Sequence, residues 1–270
     1  MISFPNAKIN LGLNIVSKRE DGYHNLETVF YPIMVKDALE IIVSDKDYDS
    51  FIESGISTGT SPDSNLVMKA LKLMREYNDI PFVEVHLLKK IPFGAGIGGG
   101  SADAAFMLKL LNEKFQLGIT NDELAKIAAK LGADCPFFIY NKPLFAGGIG
   151  ELFEEIGDFS LQGYHLVLIK PDIHVSTKDA FALIKPQQPT ISLKDIIKMP
   201  VTEWKDYMVN DFESSIFPKY PAIQDIKERL YELGAIYASM SGSGSSVYGI
   251  FKEKTSLKKE FSDCYIWEEE

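Results

Sequence analysis

Five glycines fall within seven residues in the run Pro92-Phe93-Gly94-Ala95-Gly96-Ile97-Gly98-Gly99-Gly100-Ser101-Ala102-Asp103, and this run constrains the fold more than any other feature of the chain. A plain tight connection between two elements needs one or two glycines. Before the run, Val83, Val85 and Leu87 alternate with Glu84 and His86, which predicts a half-buried strand. After it, Ala102 to Phe115 has the apolar density of a buried helix. Residues without side chains let backbone N–H groups approach an anion's oxygens, and a helix starting near Ser101 adds unpaired N–H groups and the positive end of its dipole. Pro92 through Ala102 are therefore expected to bind phosphate, with Lys89 and Lys90 adding charge at the mouth.

Three common phosphate-binding scaffolds do not fit. A Walker A loop requires GxxxxGK[ST], whereas Gly94 and Gly99 are followed by Gly100 and Ser101 with no lysine. Gly94, Gly96 and Gly99 match GxGxxG, but a second helix, Asn121 to Leu131, stands where a dinucleotide fold places a parallel strand with an acidic end. Neither the HRD nor the DFG signature of protein kinases occurs.

Elsewhere the pattern is mixed. Asn6 to Val16 reads as a strand, Lys18 to Asn25 as a polar hinge, and Ala38 to Val43 as a strand. Ser64 is placed to cap a helix over Asn65 to Tyr77, and Thr120 with Glu123 forms a capping box for a helix ending at Gly132. Tyr164 to Ile169 is a short strand stopped by Pro171. Thr177 to Ile184 and Pro221 to Leu233 read as helices, and Ile236 to Met240 and Val247 to Phe251 as strands. Because strands and helices do not alternate strictly, the expected class is α+β in two layered halves. The Gly-rich passage Gly147 to Gly150 puts the boundary near Ile156.

Charge narrows the partners. With 28 basic and 38 acidic residues the net charge is -10, a field that repels nucleic acid and anionic membrane surfaces. Cys135 and Cys264 form no CxxC, and the four histidines never recur at metal-ligand spacing, so no protein metal site is expected. No segment approaches the roughly 18 uninterrupted apolar residues of a membrane helix. The N-terminal residues show no signal-peptide pattern, which makes cytoplasmic the default compartment.

Three further segments carry polar residues in suggestive places. Lys8 and Asn10 lie two apart on one strand face, which serves either a solvated surface or a shared ligand. Asp134, in Gly132-Ala133-Asp134-Cys135-Pro136-Phe137, reads either as the N-cap of a following helix or as a general base beside Lys8. Ser239 to Ser246, rich in glycine and hydroxyls, reads either as a flexible surface loop or as a second anion cradle.

Together these segments resemble the GHMP kinase superfamily. The matching pieces are Ala7-Lys8-Ile9-Asn10-Leu11, Arg19-Glu20-Asp21-Gly22-Tyr23-His24, Ser64-Asn65-Leu66, the run Pro92 to Asp103, Gly132 to Phe137, Val175-Ser176-Thr177, Asn210-Asp211-Phe212-Glu213 and Met240 to Gly244. The Asp-Gly-Tyr-His element is similar to the branch whose acceptor is a cytidine diphosphate ester of methylerythritol, in non-mevalonate isoprenoid synthesis. The resemblance implies a ribosomal-protein-S5-like N-terminal ATP-binding domain over 1–156, a ferredoxin-like C-terminal domain over 157–270, and an active site between them. It implies ATP and Mg2+, with Asn65 near the adenine and Lys8 and Asp134 as the catalytic pair. Tyr23, His24 and Phe181 would hold cytosine, and Asn10, Ser241 and Gly242 would also meet substrate. A monomer or weak homodimer is expected. Ala102 stands where many relatives have a second Ser before an Asp or Asn, here Asp103, and Gly147 stands where some relatives carry a basic residue.

Overall fold

The structure is a computed structural model that describes residues 1–269. Its contacts cluster into two compact units that interleave along the chain, so they neither use nor exclude a boundary near Ile156.

The first unit comprises Met1–Lys8, Pro32–Phe93 and Gly98–Lys142. Its sheet has the order β1-β4-β6-β5, built from β1 (Ile2–Ser3), β4 (Ala38–Val43), β5 (Ser50–Gly55) and β6 (Val83–Lys89). Only β5 runs parallel to its neighbour, β6, because α1 (Leu66–Arg75) lies in the connection between them and returns the chain in the same direction. One face of this sheet is apolar: Leu39, Ile41, Val83, Val85 and Leu87 are almost fully buried, as their alternation dictates. The helices are completed by α2 (Gly99–Lys114), α3 (Asn121–Ala128) and α4 (Cys135–Tyr140).

The second unit comprises Ile9–Tyr31, Gly94–Ile97 and the chain from Pro143 onward. β9 (His165–Lys170), β10 (Tyr237–Met240), β11 (Val247–Phe251) and β12 (Tyr265–Glu268) pair antiparallel in the order β10-β11-β9-β12. The first and third strands of this set are central, as in a ferredoxin-like sheet. Its helices are α5 (Thr177–Phe181), α6 (Leu193–Ile196), α7 (Trp204–Tyr207), α8 (Glu213–Lys219) and α9 (Pro221–Glu232). Ile223, Ile226 and Leu230 of α9 recur at helical spacing and join Val167, Ile169, Val247 and Phe251 in the core. A third sheet, β2-β3-β7-β8, contains β2 (Asn6–Lys18), β3 (His24–Lys36), β7 (Leu144–Gly147) and β8 (Leu152–Glu155).

Several expectations need correction. Lys18 to Asn25 is the tight turn joining β2 and β3: Arg19 N donates to Tyr23 O at 2.8 Å and the Arg19 guanidinium pairs with Asp21. Asn65, not Ser64, caps α1. Asn65 has extended backbone angles and its Oδ1 accepts from Val67 N at 3.0 Å, whereas Ser64 closes a preceding 3-10 turn begun by Pro62. Asn65→Ala is expected to lower stability by about 1 kcal/mol, read by urea unfolding. Helix α2 begins earlier than Ser101, since Gly99 and Gly100 already have helical geometry. Helix α3 stops at Ala128, although its Thr120–Glu123 capping box is present as expected. Helix α5 ends at Phe181 rather than Ile184.

Candidate active site

Within the first unit, the glycine run reaches α2 through Gly98, which is the N-cap in a left-handed conformation with φ 73°. Glycine is required there twice over. A Cβ would sit 2.8 Å from the Phe138 ring and 3.2 Å from Lys8 Cε, and a positive φ already disfavours other residues. The tight approach leaves the first turn of a 16-residue helix without a capping side chain, so its backbone N–H groups remain for an anion. This cradle fits a phosphate group. Ala102 is fully buried in α2 and offers no polar group to one, while Ser101 is half-exposed.

Lys8, from β2, is 4% exposed, which rules out the solvated-face reading. Its Nζ lies 3.3 Å from Asp134 Oδ2. Asp134 precedes α4 with φ -81° and ψ -16° and makes no capping bond, because capping needs an extended backbone that swings the side chain back over the first turn. The capping reading is therefore excluded, and the half-exposed carboxylate instead faces the lysine. The adjacent Cys135 is fully buried, and burial pushes its thiol up to about 12, so no thiolate nucleophile operates here. Asn65 is 6% exposed, with its Nδ2 3.4 Å from both Glu53 Oε2 and Thr60 Oγ1.

Lys89 does not add charge at the mouth of the loop. It is 2% exposed, and its ammonium is held between Asp37 and Asp103, 2.7 Å from Asp103 Oδ2. Asp37 Oδ1 also accepts from Lys90 N at 2.5 Å and Ile91 N at 2.8 Å, so the cluster ties the start of the glycine run to α2. Burial pushes the Asp103 carboxyl up to about 8, and its Oδ1 has no hydrogen-bond partner. The alternation Val83, Val85, Leu87, Lys89 carried the signal that this lysine points inward.

Within the second unit, Gly94–Ile97 meets the loop 241–246. Ser241 is fully buried; its Oγ donates to Gly96 O at 3.0 Å and accepts from Asn10 N at 3.2 Å. Gly96, with φ 74°, would place a Cβ 2.2 Å from Ser241 O, and a Cβ on Gly242 would meet Gly96 O at 3.0 Å and Asn10 Oδ1 at 3.2 Å. The loop is thus a packed buttress rather than a flexible surface segment, and Asn210 fixes it by donating to Met240 O and Gly242 O at 2.8 Å. Asn10 is 2% exposed and donates to Thr28 Oγ1 at 2.9 Å. In the β2–β3 turn, Tyr23 is 61% exposed, while His24 stacks on Phe181 with ring centroids 4.8 Å apart. Phe181 packs edge-on against Phe212. Of the remaining run, Pro92, Ala95 and Ile97 are buried, Phe93 is exposed, and Gly99 and Gly100 lie in α2.

These features define a phosphoryl-transfer protein of known type. Residues 65–142 match the GHMP kinases N terminal domain and residues 192–264 match the GHMP kinases C terminal. The chain belongs to the GHMP kinase family and has its two-domain α+β fold. The chain is 58% identical over 99% of its length to a Parabacteroides distasonis protein named 4-diphosphocytidyl-2-C-methyl-D-erythritol kinase, covering 98% of that protein. A Porphyromonas gingivalis protein of the same name is 49% identical over 99% of this chain and 98% of its own. Among solved structures, a 4-(cytidine 5'-diphospho)-2C-methyl-D-erythritol kinase superposes with a TM-score of 0.83 at 28% identity, covering 99% of this chain and 98% of that one. The Methanococcus jannaschii mevalonate kinase, at 16% identity and a TM-score of 0.69 over 99% of this chain and 97% of its own, shares the fold.

Proposed function

We propose that this chain transfers the γ-phosphate of ATP to the 2-hydroxyl of 4-diphosphocytidyl-2-C-methyl-D-erythritol, giving the 2-phosphate and ADP in non-mevalonate isoprenoid precursor synthesis. The observation that carries the reading is the Lys8–Asp134 pair, 3.3 Å apart beside the glycine that begins α2. ATP bound there supplies the phosphoryl group, and a largely dissociative transfer asks the protein for positioning and charge stabilisation more than covalent chemistry. Asp134 accepts the proton of the acceptor hydroxyl late in the transfer, and Lys8 bridges Asp134 and that oxygen. The backbone N–H groups of Gly98 to Ser101 carry phosphate charge, with Asn65 near the adenine. Mg2+ accompanying the nucleotide would share that phosphate charge.

Tyr23, His24 and Phe181 form the cytosine site in this reading, with rings for the base's faces and the imidazole for its hydrogen-bonding edge. Asn10 lies next to the acceptor, and Ser241 and Gly242 act by holding Gly96. Tyr23→Ala is expected to raise KM for the cytidylyl substrate about tenfold while KM for ATP stays unchanged, measured by steady-state kinetics. The reading takes 1–156 as the ATP-binding domain and 157–270 as the C-terminal domain, in a cytoplasmic monomer or weak homodimer. No described helix is long and apolar enough to cross a membrane.

The test is ADP release by purified protein with ATP and Mg2+, comparing the cytidylyl acceptor with homoserine, mevalonate and no acceptor. Turnover with the cytidylyl acceptor alone supports the reading. Turnover only with another acceptor overturns the cytosine assignment, and ATP binding without turnover on any acceptor overturns the enzyme assignment.

A further inference from the structure

Asn14 lies in β2 between Leu13 and Ile15, both members of the second unit's apolar core. Successive strand side chains point to opposite faces, so Asn14 faces away from that core. It is 6% exposed, and among the described residues no protein group hydrogen-bonds its side-chain amide. The residue lines a groove of about 320 Å3 together with Asp206, Asp211, Tyr207, Gln187 and Lys185, all within the second unit. Asp211 is fixed beside it: its backbone N donates to Leu13 O at 2.8 Å and its Oδ2 accepts from Ile15 N at 2.6 Å. Burial raises the Asp211 carboxyl above the ordinary carboxylate range, and no cation among the described residues offsets that.

The Asn14 side-chain amide, on an otherwise buried residue, opens into the groove with no protein partner, and the half-buried Asp211 carboxylate beside it has no counter-charge among the described residues. Both occur in one groove. The groove carries two carboxylates against one lysine, and Lys185 forms no ion pair with either. Its charge and acceptor set suit a positively charged hydrogen-bond donor rather than an anion.

We propose that this groove binds a small aliphatic primary amine, whose ammonium donates to the Asp211 carboxylate and to Asn14 Oδ1. An ammonium brings three donors and no acceptor, which matches a carboxylate, an amide oxygen and one further acceptor from Asp206 or Tyr207. None of the lining residues takes part in the phosphoryl transfer proposed above, so the site is separate from that reaction.

The test is calorimetric titration of the full chain with 1,4-diaminobutane, and separately with the uncharged 1,4-butanediol, at fixed ionic strength. The expected result is saturable one-to-one binding of the diamine, at least about tenfold tighter than the diol, as a charge-assisted hydrogen bond provides. Asn14→Leu should weaken diamine binding by about tenfold or more, because it removes the amide oxygen that accepts from the ammonium. Asp206→Asn, which removes one of the two carboxylates that give the groove its charge, should weaken binding several-fold with the fold intact, and it decides the question if Asn14→Leu fails to fold. No saturable diamine binding, equal binding of the diol, or affinity unchanged in the folded variants overturns the proposal.

Discussion

Asp134→Asn is expected to lower kcat by roughly 10² to 10⁴ while leaving the melting temperature and KM for ATP close to those of the parent, the range for loss of a positioned base. The substitution keeps the shape of the side chain and removes only its ability to take a proton and to carry charge toward Lys8, 3.3 Å away. Because Asp134 makes no capping bond to α4, its carboxylate has no structural duty there that asparagine would fail to meet. A collapse in thermal stability with the loss of activity would instead mean that the carboxylate supports the fold. Lys8→Ala removes the other half of the pair and is expected to lower kcat by roughly 10² to 10³. If the two residues act as one unit, the double variant should be little slower than the slower single one, which is the non-additivity expected of groups sharing a transition state. Simple multiplication of the two losses would assign them independent roles.

The site was more legible in the chain than the elements that support it. Glycines at 94, 96 and 98 announce themselves because positive φ and close backbone approach admit little else, and the structure has all three at positive φ. Lys8 and Asp134 were identifiable as polar residues in apolar surroundings, but a strand period cannot say whether a polar pair faces water or its own partner 126 positions later in the chain, as Lys8 and Asp134 do. That is settled by tertiary packing. Strands β5, β7 and β12 are not legible in the sequence because Ser50–Gly55, Leu144–Gly147 and Tyr265–Glu268 are short and lack clean alternation, so that pairing with a neighbour rather than local pattern makes them strands. Ser64 and Asn65 both suit an N-cap locally. Pro62 decides between them by starting a 3-10 turn that uses up Ser64.

Lys89→Met is expected to destabilise the protein by about 3–5 kcal/mol, the effect of leaving buried carboxylates without their cation. Methionine keeps most of the volume of the lysine stem, so the loss reports charge rather than a cavity. Two carboxylates share one ammonium here, and Asp103 has the fewer donors: Asp37 accepts from Lys89 and from two backbone N–H groups, whereas one oxygen of Asp103 has no partner at all. Burial accordingly holds the Asp103 carboxyl up to about 8, against about 4 in an unfolded chain. Between those values the folded state binds a proton that the unfolded state releases, so the Asp103 contribution to stability falls as pH rises from about 4 to about 8. Lys89 is raised, mainly by Asp103 and Asp37 acting against its desolvation, and its stabilising contribution disappears only at pH above the ordinary lysine range, outside this window. Asp103→Asn, neutral at every pH, should therefore remove a slope of at most about 1.4 kcal/mol per pH unit from the stability profile measured by urea unfolding at steps between about pH 5 and 8. Parallel profiles for the parent and Asp103→Asn would show that Asp103 titrates outside this window. In Lys89→Met the falling slope should extend to higher pH, because Asp103 then ionises without the ammonium, and the start of the glycine run at Lys90 and Ile91 loses the anchor that fixes it to α2.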